Sequence, residues 1–275
     1  YPYYKESMYA PIQIEEEEYM LRPMTCPHHF ELYNAHPHSY RELPMRIAEL
    51  AKLYRFERSG ELSGLIRVRS FCLADSHIVC MKSQAKDEIN GVLDLIEFMG
   101  KTFGLEPGKD LSYRLSLGDR ADEKKYYKDD ASWDFAESVL REVLVERGSK
   151  FVEAEQEAAF YGPKIDVQMR NVNGKEDTAF TVQYDFVMPK RFDLKYVNEH
   201  GELEQPIVIH RSSIGAIERT LAFLIEKFAG KFPVGLAPTQ VKILPISDKF
   251  NVYAQELYSK MVRENIRVEV DDRSE

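Results

Sequence analysis

The chain has 275 residues, 44% of them hydrophobic and 30% charged, with a net charge of −9. That length supports a sizeable core in one large domain or two ordinary ones, and the composition excludes a disordered chain. No apolar run reaches the ~18 residues of a membrane span, no basic-then-apolar leader precedes the acidic start, and three cysteines at 26, 72 and 80 make no disulfide framework, so the expectation is a cytoplasmic protein with no membrane partner.

In chain order, the acidic run at 15–18 reads as a surface turn before a strand at 19–21. PMTCPHH (23–29) holds the chain in a tight path around Cys26, and a helix is expected from His28. Residues 46–57 read as mostly extended, GELSG (60–64) as a flexible loop, and a further strand is expected from Leu65, together a hairpin with a mobile tip. Apolar residues three and four apart predict amphipathic helices over 87–103 and 131–147. Alternation over 165–187 around Asn171-Val172-Asn173-Gly174 predicts a hairpin, 206–210 a short strand, and 214–228 a helix. After a linker punctuated by Pro233, Gly235 and Pro238, a strand (241–246), a helix (251–264) and a strand (266–270) read as the start of a second, α/β unit. The division expected is 1–235 and 236–275.

FCLADSHIVC (71–80), read as a strand, puts Phe71, Leu73, Asp75, His77 and Val79 on one face and Cys72 and Cys80 on the other. The stretch 54–69 carries four arginines among two carboxylates. Arg55 and Glu57 alternate on one extended segment and Arg67, Arg69 and Phe71 on another. Guanidinium groups so placed suit phosphates, with an aromatic ring to stack a base, yet a solvated hairpin with cross-strand ion pairs has the same pattern. Cys26, His77 and His210 lack the short spacing of a zinc motif, although three ligands from separate strands would fit a catalytic zinc that keeps one position open. His28, His29, His36 and His38 form a rival histidine cluster that fits no common zinc pattern. Gly215 before Glu218 and Arg219 would let a ligand approach the backbone at a helix N-terminus.

Taken together, RPMTCP (22–27), YRFE (54–57) with GLIRVRSF (64–71), DSHI (75–78), AFYGPKI (159–165), TVQYDF (181–186) and the stretch from IHR (209–211) to GAIER (215–219) resemble the threonyl-tRNA synthetase family, from about Tyr4 to Glu275. The resemblance implies an α+β fold: a class II synthetase antiparallel sheet flanked by helices, followed by the start of an α/β anticodon-binding domain, as a catalytic-core fragment of a longer enzyme, homodimeric at full length. It implies activation of L-threonine with ATP and transfer to threonine tRNA. Cys26, His77 and His210 would hold zinc, which takes the amino and hydroxyl groups of threonine, with Asp75 accepting the hydroxyl's hydrogen bond. Met24, Tyr161, Lys164 and Gln183 would line the threonine and adenylate pocket. Arg55 would meet the ATP α-phosphate, Glu57 the adenine amino group and Arg67 the terminal phosphates. Phe71 and Arg219 would cover the two adenine faces, and magnesium would accompany ATP. Leu73 and Thr178 depart from the family, which has glutamine at both places, and Ala74 stands where it has aspartate. They keep open a second reading, a catalytically silent synthetase-like domain that binds an amino acid or a partner. A structural zinc protein is disfavoured, since three ligands leave the site open.

Overall fold

The structure, a computed structural model, describes residues 2–271 and residue 273, so the outer limits of the two expected units, 1 and 275, lie outside the described residues. A short 3-10 helical segment (Pro2–Ser7) leads into a hairpin of β1 (Ile12–Ile14) and β2 (Glu17–Tyr19), which turns at Glu15. The acidic run expected as a turn is thus partly strand, and the strand expected at 19–21 lies upstream. α1 (Cys26–Asn34) starts two residues before the expected His28, because Pro27 fits the first helical turn, where a missing N–H leaves no hydrogen bond unmade. Next come β3 (Met45–Tyr54), β4 (Ser70–Cys80), α2 (Ala85–Thr102), β5 (Leu111–Ser116), α3 (Asp130–Glu146) and β6 (Phe151–Ala154). They are followed by β7 (Lys164–Arg170), β8 (Glu176–Asp185), the one-turn α4 (Met188–Arg191), the small pair β9 (Tyr196–Val197) and β10 (Leu203–Glu204), β11 (Ile207–Ser212) and α5 (Ile217–Phe228).

Seven of these strands form one sheet in the order β3-β4-β11-β8-β7-β5-β6, antiparallel except for the β5–β6 pair. It is the antiparallel sheet flanked by helices that the sequence predicts. Side-chain alternation gives the sheet two faces. One carries Ile78, Ile209, Val182 and Ile165, packed with Ile89, Leu93 and Ile96 of α2, Leu140 and Val143 of α3, and Leu224 of α5 into the main core. The other is covered by α1, whose Phe30 and Tyr33 pack on Val79 and Val208. Burying Phe30 completely contributes about 1.5–3 kcal/mol and fixes the helix to the sheet.

β5 and β6 carry no expectation from the sequence. Six and four residues long, they become strands by pairing with β7 and with each other, a tertiary effect that local alternation does not signal. β4 begins at Ser70 and not at Leu65, because Ser63 and Arg67 exchange backbone hydrogen bonds of 3.1 and 3.2 Å and close a turn. Arg67 and Arg69 therefore precede the strand that carries Phe71, and Arg55 and Glu57 follow the end of β3.

Beyond the linker, β12 (Val241–Ile243) pairs in parallel with β13 (Val268–Val270), joined by α6 (Asn251–Arg263). This is the βαβ unit read from the sequence. Among the described residues, no helix is long and apolar enough to cross a membrane.

Candidate functional site

The antiparallel register lines up residues remote in sequence. His77 pairs with Ile47 on one side and His210 on the other, His210 pairs with Gln183, and Gln183 with Lys164. These form one rung across five strands, all on the face beneath α1. Along the same face of β4, two residues from His77, stands Asp75, as alternation predicts.

α1 brings Cys26, His29, Phe30 and Tyr33, spaced i, i+3, i+4 and i+7, onto that face. One ligand atom from each of Cys26, His77 and His210 lies within 4.8 Å of the others. His210 sits with Nδ1 3.5 Å from Cys26 Sγ and Nε2 2.7 Å from Asp185 Oδ2. Burial works against a charge on His210, yet the Cys26 sulfur and the Asp185 carboxylate outweigh it and raise its pKa. His77 is fully buried, and burial with two histidine neighbours holds its pKa far below the ordinary value, so the ring is neutral. Its Nε2 has no hydrogen-bond partner. A buried, neutral imidazole nitrogen without a partner beside a sulfur and a second imidazole is a donor set that fits a thiophilic divalent metal with an open coordination position. The Asp185 contact is the carboxylate–histidine arrangement that orients metal ligands.

Cys26, His210 and Asp75 open onto a cleft of about 250 Å³. Met24, Tyr161 and Gln183 line it too, with the Tyr161 ring stacked on His210 at 4.7 Å and its hydroxyl donating to Gln183. Asp75 accepts hydrogen bonds from the Thr25 hydroxyl and the Ser76 N–H; burial pushes its pKa up, against those bonds and the nearby imidazoles. Lys164, though on the rung, is not at the cleft wall. Its Nζ is 2.6 Å from Asp166, a fully buried carboxylate that also takes Arg114 and Ser116.

At the other end of the cleft stand Arg55, Glu57, Arg67, Phe71 and Arg219. The Arg55 guanidinium lies over the Phe71 ring at 5.4 Å, with Nε donating to the Pro23 carbonyl. Arg219 donates to the carbonyls of Ile66 and Thr178 at 3.0 and 3.1 Å. Burial, then Arg67, then Arg55 lower its pKa, with the nearby carboxylates too weak to reverse this. Mutual repulsion of partly buried guanidiniums is relieved by an anion between them. Arg69 faces elsewhere, stacking on Phe56 and donating to the Glu57 carbonyl.

Gly215 has φ 74°, and a Cβ there would lie 2.4 Å from the Ala179 carbonyl oxygen, so its missing side chain admits a neighbouring strand, while its backbone lines the cleft. α5 begins two residues later, at Ile217. Glu218 in its first turn accepts the Cys72 N–H at 2.9 and 3.1 Å and ties the helix to β4. Cys80 is fully buried in the core, its thiol pKa pushed up to about 12 by burial, and takes no part in the site. Of the rival histidine cluster only His29 reaches the site, while His38 bonds the Tyr33 carbonyl.

Thr25 and Asp185 carry no assigned role from the sequence, His29 appears there only in the rival cluster, and Glu218 only beside Arg219 at the helix start. Three of them carried a signal: Thr25 adjoins Cys26, His29 is one helical turn beyond it, and Asp185 shares a strand face with Gln183. Leu73 and Thr178, the departures from the family pattern, both line the cleft.

Residues 7–228 match the family model of the tRNA synthetase class II core domain (G, H, P, S and T), and residues 240–275 match the anticodon binding domain. The chain is 49% identical over 275 residues to a threonine–tRNA ligase of Clostridium botulinum, covering 99% of the chain and 42% of that relative. It is 49% identical over 274 residues to the threonine–tRNA ligase of Geobacillus kaustophilus, with the same coverage. The chain thus spans less than half the length of these curated relatives. A solved structure described as the RNA binding domain of threonyl-tRNA synthetase from Cryptosporidium parvum superposes with a TM-score of 0.87 at 34% identity, over 99% of this chain and 66% of that one. A prolyl-tRNA synthetase from Giardia lamblia, at TM-score 0.64 and 17% identity over 98% of this chain and 50% of that one, shares the fold.

Proposed function

This chain belongs to the class II tRNA synthetases, with a class II core followed by anticodon-binding sequence, and from that premise we propose that it is the part of a threonine–tRNA ligase that forms threonyl-adenylate from L-threonine and ATP, for transfer to threonine tRNA. The boundary between its units falls at 235/236. The observation that carries the reading is that the Cys26/His210 end and the Arg55/Arg67/Arg219 end open on one cleft, so an amino acid held at the first presents its carboxylate toward a nucleotide held at the second.

Zinc bound by Cys26, His77 and His210 would supply a Lewis-acidic position for the amino and hydroxyl groups of threonine. The Asp75 carboxylate, oriented by Thr25 and the Ser76 N–H, accepts the hydrogen bond of that hydroxyl. Gln183, whose amide oxygen accepts from Tyr161 and whose Nε2 donates to the Thr181 hydroxyl, lines the place of the amino acid. Valine has threonine's shape without its hydroxyl and would cover the half-buried Asp75 carboxylate without supplying the hydrogen bond that replaces its water, a stronger rejection than an apolar pocket achieves. Phe71 and Arg219 stack the adenine, Glu57 meets its amino group, and Arg55 and Arg67 neutralise the phosphates of ATP, which carries magnesium. The threonine carboxylate oxygen then bonds to the α-phosphorus as the bond to pyrophosphate breaks. The protein contributes positioning and charge neutralisation and no nucleophile of its own.

ATP–pyrophosphate exchange with threonine, serine and valine tests this. Threonine supports exchange, serine supports a measurable amount and valine essentially none; exchange with valine equal to threonine would sink the hydroxyl-recognition mechanism. No exchange with threonine, while the full-length enzyme is active, would leave the binding-only reading that apolar Leu73 in the cleft wall favours. The parent is expected to hold zinc stoichiometrically and Cys26→Ser to lose it; full retention would remove Cys26 from the site.

A further inference from the structure

Beneath the cleft two buried imidazoles meet, and only one belongs to the donor set. His29, 4% exposed, brings Nδ1 to 2.7 Å from Nδ1 of His77, which is fully buried; the rings stand nearly perpendicular at 85°. Two ring nitrogens at that separation share a single proton, since two lone pairs repel and two N–H groups collide. The proton's owner follows from the other end of the ring. Were it on His29, neutral His77 would carry its hydrogen on Nε2, the atom that has no partner, leaving a buried donor unsatisfied and no lone pair to offer a metal. With the proton on His77 Nδ1, Nε2 presents a lone pair toward Cys26 and His210, and His29 Nδ1 is the acceptor.

His210 is secured in the same way at its far nitrogen, by Asp185 at 2.7 Å. We propose that His29 is a positioning residue that fixes the tautomer and ring orientation of His77 by accepting its Nδ1–H, without touching metal or substrate. This rests on the reading of Cys26, His77 and His210 as a zinc site. The two metal-facing imidazoles are then held unequally, one by a carboxylate and one by a neutral ring.

The test is zinc affinity by chelator competition, together with the visible spectrum of the cobalt-substituted protein, on the whole chain. His29→Phe keeps the ring's bulk without an acceptor and is expected to lower zinc affinity by about 10–100-fold and to shift the cobalt bands. His29→Gln, whose carbonyl falls past the Nδ1 position, is expected to do the same and carries the test if the phenylalanine variant does not fold. His29→Asn puts an amide oxygen close to where Nδ1 stood and is expected to restore parent affinity and spectrum. Parent affinity in both the phenylalanine and glutamine variants overturns the inference, and so does an asparagine variant as weak as they are, since the imidazole itself would then be required. A parent protein that takes up no zinc overturns the zinc reading and this inference with it, an outcome distinct from either.

Discussion

On one side of the cleft His77, His210 and Gln183 stand on three adjacent strands in a single rung, while on the other Arg55, Arg67 and Arg219 come from a strand end, a turn and a helix. The first group is placed by sheet register and by a helix packed over it, and its side chains are buried or nearly so. The second lies outside the sheet ladder, with Arg55 and Arg219 held by hydrogen bonds to the carbonyls of Pro23, Ile66 and Thr178 and Arg67 by the turn it closes with Ser63. The difference teaches that the two ends suit different ligands. A rigid frame suits a small group of fixed geometry, and guanidiniums converging from a strand end, a turn and a helix suit a polyphosphate.

The contrast can be broken by experiment. The largest effect is expected at the arginine end. Arg219→Ala should reduce kcat/KM of threonine-dependent pyrophosphate exchange by about 10²–10³-fold, the cost of deleting one preorganised charge-stabilising donor, with zinc content unchanged. A loss of zinc would show that the two ends are not independent. Next is the frame. A Cβ on Gly162 would meet the Tyr184 carbonyl oxygen at 1.8 Å, so Gly162→Ala should lower unfolding free energy by about 2–3 kcal/mol in denaturant titration. Unchanged stability would mean that the segment beside β8 adapts and the frame is less rigid than described.

A smaller, local effect is expected from Asp185→Asn. The amide oxygen can still accept the Val187 and Met188 N–H groups, while the bond to His210 is weakened. Zinc affinity should fall by about 10–100-fold; unchanged affinity would mean that the carboxylate does not orient His210. The smallest lies outside the cleft, in the Asp110–Lys227 pair at 2.7 Å. Burial would raise the Asp110 pKa, but Lys227 and the Glu106 N–H more than offset it, so the folded pKa lies below the unfolded one. Its stabilisation is present above the usual aspartate pKa and is lost as pH falls through the folded value. Lys227→Met should therefore cost less than about 1 kcal/mol near neutrality, and the difference in melting temperature should vanish in acid. A difference that persists there would assign the effect to packing.

What was legible in the sequence follows the same division. The face of β4 bearing Phe71, Asp75 and His77 and the amphipathic α2 and α3 were readable, because periodicity is local. β5 and β6 were not, because their pairing partner lies some fifty residues further on or is each other. Arg67 and Arg69 were expected on a strand that begins only after them, since the Ser63–Arg67 turn depends on backbone bonds that side-chain alternation does not encode. Lys164 fell on the right rung, but its ammonium goes to Asp166, a choice set by a buried carboxylate two residues away. His29 was hidden in a run of histidines, and only its helical phase relative to Cys26 sets it apart from His28.

The rung has a consequence for how such a gene can change. The connections between β4, β8 and β11 could gain or lose codons without disturbing which atoms meet at the histidine end of the cleft, because strand pairing and not chain distance brings them together. Inside β11 a single deleted codon, with the pairing kept, would move Ile209 or Arg211 into the place of His210 and turn a working surface into core or the reverse. Length changes are thereby tolerable in the connections, while the strands are held to a fixed number of residues.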